Sequence, residues 1–476
     1  MALQTAGGLL VGAALRPGIA RAAEPPSPVI ATLSTYMGEA AAKPLPEEAV
    51  EKTKHHILDT FAAMISGSEL APGQVALRLA QAHAGGPSTV AASKFRCPAV
   101  EAAMINGMLA HSDETDDSHA PSLSHPGCSV VPAALAAGEE FGIDGTRFLR
   151  AVALGYDVGP RVMMTLGGSP FQMATHHSSH SIAGTFGSAA AAACAGGFNA
   201  RQMRWVLDYA AQQAAGIAAW QRDTDHIEKS MVFAGMPARN GVTAAAVIHF
   251  GGTGVDDIFS GADNFLLTFN PKADPAGLID GLGSRYEVTR TNIKKWTVGS
   301  PIQAPLDALE NLRKRRPFEA ADVRKVVVRL ATAEAKTVND REMPDISLQH
   351  MVAVMLIDKT ASFQAAHDKA RMKDPALLQL KAKVELVADA ELDRLAPRRE
   401  TVVAVTLQNG ETLTERVGAV RGTAENTMPR PEVIAKCRDL IAPVLGAAAC
   451  NRLIDTVMAL ERVKSVRELG ALLQRA

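Results

Sequence analysis

The chain has few cysteines and none of the spacings that would give them a structural or cofactor role. Cys97, Cys128, Cys194, Cys437 and Cys450 are odd in number and form no C-x-x-C pair, which excludes a disulfide scaffold and a zinc ribbon. An iron–sulfur cluster is excluded on the same ground, because closely spaced thiolates are missing. Charge of one sign is also missing: 49 Lys plus Arg face 50 Asp plus Glu, leaving a net charge of −1. No global field therefore favours nucleic acid or an anionic membrane. Aromatic residues make up only 4%, which argues against an aromatic-rich β-sandwich and, with the abundant alanine, for close-packed helices. Beyond the amino terminus no run approaches the roughly 20 apolar residues of a membrane span.

What is present is a chain of 476 residues, 47% hydrophobic and 21% charged, able to bury a substantial core in about two or three units. Residues 1–27 read as a leader. An apolar Gly/Ala-rich stretch from Leu3 to Leu15 is followed by Pro17 and by the small-x-small pattern Ala20-Arg21-Ala22, as in an export signal cleaved near Ala23. The expected location is periplasmic or exported, and cytoplasmic if the leader is not a signal.

Periodicity divides the rest. Residues 28–285 carry apolar positions at three and four spacing, predicting helices over Glu47–Ser66, Gly73–Gly85, Pro98–His111, Ser129–Phe141, Gly145–Leu166, His180–Ala195, Asn199–Trp220 and Asn240–Phe250. The run GTFGSAAAAACAGG from Gly184 reads as a central core helix, its small side chains allowing close approach. In residues 286–425 valine-rich segments, Val323–Ala331, Lys381–Ala388 and Thr401–Leu407, predict strands, and Gln408-Asn409-Gly410 a hairpin turn. Helices at Pro305–Arg313, Ser347–Asp358 and Ala361–Ala366 make this a smaller α+β unit. Residues 426–476 return to helix. The expected fold is mainly α: a large helical domain formed by both ends of the chain, with a small α+β domain inserted.

Chemistry concentrates in the first half. Seven of the 13 histidines, His111, His119, His125, His176, His177, His180 and His226, lie between positions 111 and 226. The densest stretch, NGMLAHSDETDDSHAPSLSHPG, adds Asp113, Glu114, Asp116 and Asp117. Flanking apolar helices place this loop at the packed end of a core, where carboxylates need partners and acquire shifted pKa values. A solvated acidic loop and a metal site are the alternatives. The metal is disfavoured because no H-E-x-x-H spacing occurs and the acids lack the glycine of an EF-hand loop. Lys229, in EKSMVFAGMPARNG, and Lys294-Lys295, in IKKWTVGSPIQAPLDAL, add cations. Histidine can remove a proton α to a carboxylate, and lysine can neutralise charge that builds there, so the set suits a small di- or tricarboxylate.

The succession NGMLAHSDETDDSHAPSLSHPG, HSIAGTFGSAAAAA, KSMVFAGMPARNGVTAA, IKKWTVGSPIQAPLDAL and DISLQHMVAVML resembles the MmgE/PrpD family, which contains 2-methylcitrate dehydratase, cis-aconitate decarboxylase and iminodisuccinate epimerase. The resemblance covers nearly the whole chain after the leader. It implies the same two-domain fold, a homodimer, and an active site between the domains without cofactor or metal. It places the family's acid run and following hydroxyl on Glu114, Asp116, Asp117 and Ser118, its histidine before proline on His125, and its lysines on Lys229 and Lys294, with Lys295 as a competitor. Two positions depart. The family histidine ahead of the glycine-alanine helix falls on Ser178, with His177 adjacent, and the family tyrosine after Ser-Leu-Pro is His350. Glu114 also stands where many members have aspartate. The implied catalytic set is His125, Glu114, Asp117, Lys229 and Lys294, and the substrate-binding set Asp116, Ser118, His177, Ser178 and His350. His125 is the expected base, Lys229 and Lys294 the stabilisers of an aci-carboxylate, and Glu114 or Asp117 the proton donor. The expected activity is a lyase or isomerase, with methylcitrate-type dehydration preferred over decarboxylation or epimerisation. A non-catalytic carboxylate-binding protein, which would need cations but no base, is the rival.

Overall fold

The computed structural model describes residues 25–396 and 398–475; the expected leader lies outside them except for its last three positions. Two apolar cores organise the chain. The larger draws on residues from Ile30 to Ile293 and again from Met428 to Leu473, and the smaller on Trp296 to Val420. Both ends of the sequence thus close one core, and the α+β segment has its own.

In the larger unit the helices that carry the site are α1 (Glu47–Gly67), α2 (Ala99–Ala110), α3 (Gly127–Phe141), α4 (Gly145–Leu166), α5 (Ser179–Gly196) and the run α6 (Ile227–His249). Helix α5 is central and packs on α3, α4 and α6. Its alanines and glycines allow this, because small side chains let the backbones approach closely. A Cβ on Gly241 of α6 would overlap the Ala189 amide nitrogen and the Ser188 Cβ of α5. Gly241→Ala is therefore expected to lower stability by about 1–3 kcal/mol or more, read from denaturant unfolding.

Helix α6 is where sequence and structure differ most. Periodicity predicts a start at Asn240, whereas the helix begins at Ile227, passes through one π-turn at Met231–Gly235 and resumes at Met236 with Pro237 in its first turn. Proline lacks an N–H, and the first turn does not need one, so Pro237 marks a resumption rather than a boundary. Among the described residues α6 is the one helix long and apolar enough to cross a membrane, and most of its apolar window is buried within the fold. The predicted helix Asn199–Trp220 also divides. It stops at Gln212, and a short 3-10 turn follows at Ala218–Arg222 after Gly216, whose φ of +104° breaks the helical path.

The smaller unit contains α7 (Ser300–Arg315), α8 (Leu348–Asp358) and α9 (Phe363–His367) over a four-stranded sheet. Its strands are β1 (Val323–Leu330), β2 (Val384–Ala388), β3 (Thr401–Leu407) and β4 (Thr412–Val417), in the order β2-β1-β3-β4. β1 runs parallel to β2 and antiparallel to β3, and β3 and β4 form the predicted hairpin through Gly410 at φ +90°. Along β3 the residues Thr401, Val403, Val405 and Leu407 are buried and alternate with half-buried ones, the period-two signature of a sheet covered on one face. The chain then returns to the large unit through α10 (Arg430–Leu445), which packs on α1.

Candidate active site

The loop 111–126 joins α2 to α3 and is held from three sides. Ser118 and Asn292 exchange backbone hydrogen bonds of 3.0 and 2.8 Å, tying the loop to the segment that leads into the small unit. Lys436 on α10 donates to the Thr115 carbonyl at 3.0 Å and pairs with Asp59 of α1 at 2.6 Å. His119 meets Glu287 at 3.2 Å, and Arg285 and Arg290 reach the same carboxylate at 2.8 Å each. Burial would raise Glu287, but His119 and the two arginines bring it down to about 2. A buried polar loop needs such partners for its backbone and carboxylates.

Glu114 and Asp116 then form the centre of the site. Glu114 takes ion pairs from Lys229 of α6 and, at 3.2 Å, from Lys294, whose ammonium also donates to the Glu114 carbonyl at 2.8 Å. Burial opposes its charge, yet the two ammonium groups hold Glu114 well below the usual carboxylate range. Asp116 accepts from His111 Nδ1 at 2.9 Å and from His125 Nδ1 at 3.1 Å, with Lys294 at 3.7 Å. It too lies well below its ordinary value, against the push of burial. Burial lowers His125, only partly opposed by Asp116. With Nδ1–H directed at Asp116, neutral His125 presents Nε2 as a bare lone pair. A neutral imidazole oriented in this way by a carboxylate can act as a base, and the Lys294 ammonium lies close to the same carboxylate.

Asp117 faces the other way. Its Oδ1 accepts from Gly127 N at 3.0 Å, and its Oδ2 from Tyr156 at 2.5 Å, with His56 at 2.9 Å. These bonds fix the start of α3 directly after His125-Pro126. Of the two acids expected as proton donor, Glu114 lies between Lys229 and Lys294, and both Asp117 oxygens have partners in Gly127 N, Tyr156 and His56. Ser118 contributes its backbone bridge. Ser178 caps α5 by accepting from Ser181 N, and the His177 ring packs against Phe171 and Phe269 at 5.7 and 5.2 Å. His350 is buried in α8, and burial, with Lys381 and Arg371 nearby, takes it down to about 4. Among the described contacts none joins Ser178, His177 or His350 to the Glu114–Asp116 cluster. Lys295, beside Lys294, turns outward to Glu310 at 2.6 Å and lies over the Trp296 ring.

Other residues stand around the Glu114–Asp116 cluster. The π-turn carries Phe233 between two histidines: His180 stacks on it at 3.7 Å and His111 at 4.7 Å between centroids. His180 stands 5.2 Å from His125 and His226 stands 5.1 Å from His111. Lys229 lies 5.0 Å above Phe233 and 5.6 Å from Trp220. Among these the sequence singles out His111, His180 and His226 as members of a cluster without a role, and gives no sign of Phe233. A single π-turn leaves the apolar pattern intact while rotating the rest of the helix about its axis.

The small unit reaches the loop through His367 of α9, paired with Asp113 at 2.9 Å and flanked by Asp345. Burial would lower His367, but the Asp113 and Asp345 carboxylates and the Phe363 carbonyl raise it to about 9. Burial raises Asp345 to about 6 despite His367. A raised histidine contributes stability that is complete below its unfolded value near 6.5 and is lost as pH rises through about 9. The melting temperature of the unaltered chain should therefore exceed that of His367→Gln at pH 6, and the gap should close by pH 9.5.

His111, Glu114 and His226 place ligand atoms within 4.8 Å of one another, as do His111, Asp116 and Cys128. A divalent cation at the first set would face the ammonium groups of Lys229 and Lys294, both already paired with Glu114. Burial and the Asp116 and Asp117 carboxylates push the Cys128 thiol well above its usual range.

Residues 31–277 match the MmgE/PrpD N-terminal domain and residues 296–462 the MmgE/PrpD C-terminal domain. The cis-aconitate decarboxylase of Aspergillus terreus is 24% identical over 94% of this chain and 96% of its own length. The cis-aconitate decarboxylase-like protein oryM of Aspergillus oryzae is 24% identical over 94% and 98%. The human cis-aconitate decarboxylase is 24% identical over 90% and 91%.

Proposed function

Because the chain belongs to the MmgE/PrpD family, a family of lyases that act on small carboxylates, we propose that it is a cofactor-independent lyase for a small di- or tricarboxylate, working by proton abstraction α to a carboxylate. The observation that carries this is the Asp116–His125 pair beside Glu114, Lys229 and Lys294. His125 Nε2 takes the α-proton, and the electron pair left behind moves into the substrate carboxylate. Lys229 and Lys294 stabilise the charge that accumulates there, in an enclosed site where ammonium groups act strongly.

Two fates of the substrate are consistent with the site. In a dehydration the pair left by the α-proton forms the alkene as the C–O bond to a β-hydroxyl breaks, and the departing oxygen takes the proton now held on the His125 imidazolium to leave as water. In a decarboxylation no α-proton is taken: the pair comes from the C–C bond that breaks to release carbon dioxide, the same cations stabilise it on a remaining carboxylate, and an imidazolium protonated beforehand from solvent gives its proton to carbon. The names of the three relatives favour the second fate, and the unpartnered imidazole nitrogens of His111 and His226, which suit a hydroxyl group, favour the first. Incubating the protein with citrate, 2-methylcitrate, cis-aconitate, tartrate and aspartate-derived diacids, while following alkene absorbance and α-proton exchange in deuterated water, tests the reading. Exchange or alkene change with at least one of them is expected; inertness toward all of them, with no binding, would refute it.

A further inference from the structure

His226 is held in an unusual way. Its backbone is left-handed, with φ +67° at a residue that is not glycine, a conformation that costs energy and tends to be kept where function requires it. The residue is only 4% exposed, and among the described residues neither ring nitrogen has a hydrogen-bond partner. His111 Nε2 is likewise buried and unpartnered, and the two rings lie 5.1 Å apart. Three unsatisfied nitrogens gathered next to Lys229 would be costly in a site that stays empty of polar ligand.

The tautomer of His111 narrows what fits. Its Nδ1 faces Asp116 at 2.9 Å, so in the neutral ring Nδ1 carries the hydrogen and Nε2 is an acceptor. Burial, with the Lys229 ammonium alongside, keeps His226 neutral, well below the ordinary imidazole value. Each neutral imidazole offers one acceptor. An ionised carboxylate has no hydrogen to give to an acceptor, whereas an alcohol gives one hydrogen and accepts another.

We propose that His226 and the Nε2 face of His111 form a subsite for the hydroxyl group of a hydroxy-carboxylate, making His226 a specificity-determining contact. This rests on the small-carboxylate reading of the same site and narrows it: the ligand class is a hydroxy di- or tricarboxylate rather than its deoxy or unsaturated counterpart. The hydroxyl donates to one imidazole lone pair while its oxygen accepts from the His226 N–H or the Lys229 ammonium.

The test is binding of matched pairs, malate against succinate and citrate against tricarballylate, by titration calorimetry on the full chain and on two variants. His226→Leu removes both polar atoms. His226→Asn, which tolerates left-handed backbone, is too short to reach the subsite and keeps the result readable if the first variant does not fold. The unaltered chain is expected to favour each hydroxy acid about tenfold or more, as an unpaired buried acceptor disfavours the analogue. In the variants that ratio should fall to about one, with affinity for the deoxy acids little changed. Equal affinity for both members of each pair, or a preference that survives both substitutions, overturns the subsite while leaving the carboxylate reading standing. Failure of all four acids to bind overturns both.

Discussion

Replacing His125 with Gln or Ala lowers kcat by about a hundredfold or more while leaving the fold intact, because removal of a positioned general base typically forfeits a factor of ~10²–10⁴. The side chain is 10% exposed and, among the described residues, its side-chain hydrogen bond is to Asp116 alone, so its loss removes a proton acceptor more than a support. The pH profile gives the sign. Burial keeps His125 below 6.5, so the base is free at neutral pH. Turnover should fall only as pH drops through a value below that of an ordinary imidazole. A His125→Gln protein that still exchanges the α-proton at the original rate in deuterated water would place the base elsewhere, with His111, the other imidazole on Asp116, as the alternative.

The difference between adjacent acids in this loop explains what the sequence could and could not disclose. Composition identifies residues 111–125 as the chemical centre, since four acids and three histidines between apolar helices require mutual pairing. It does not disclose that Asp116 and Asp117 point in opposite directions. In a helix or strand the side-chain direction follows from position, but in an irregular loop it is set by distant partners, here His111 and His125 for one and His56, Tyr156 and Gly127 for the other. The helices were legible for the opposite reason, that their periodicity is local: Gly145–Leu166 is as predicted, despite Pro160 within it. Where a tertiary partner decides, local signals mislead. Counting along the chain puts the histidine ahead of α5 at His177 or Ser178, yet the ring that reaches Phe233 belongs to His180, one residue into the helix. His367 and Asp345 carry no local mark, since their role depends on the small unit being folded against Asp113.

Lys294→Met is expected to lower both kcat and kcat/KM by about a hundredfold, with Lys295→Ala nearly silent. The two lysines are neighbours in sequence but not in environment. Lys294 is 3% exposed and its ammonium contacts the Glu114 carboxylate and carbonyl and approaches Asp116. Lys295 meets Glu310 and Asp307 in a solvent-open cleft of about 520 Å³ beside α10, and a partly exposed pair of that kind contributes little. Burial alone would lower Lys294, but Glu114 and Asp116 raise it, so it stays a cation throughout the working range and can meet charge that develops on the substrate. An interaction made mainly in the transition state appears in kcat as well as kcat/KM. Removing it also strips a buried carboxylate of one partner, which destabilises by about 3–5 kcal/mol, so lost activity alone would be ambiguous. Adding Glu114→Gln to Lys294→Met separates the two effects. The second change removes the uncompensated charge, so thermal stability should partly recover while turnover does not. The acid limb of the residual activity should also move up toward 6.5 in Lys294→Met, because that ammonium is one of the groups holding His125 low. Full recovery of turnover in the double variant would show that Lys294 only balances Glu114 and has no part in the reaction.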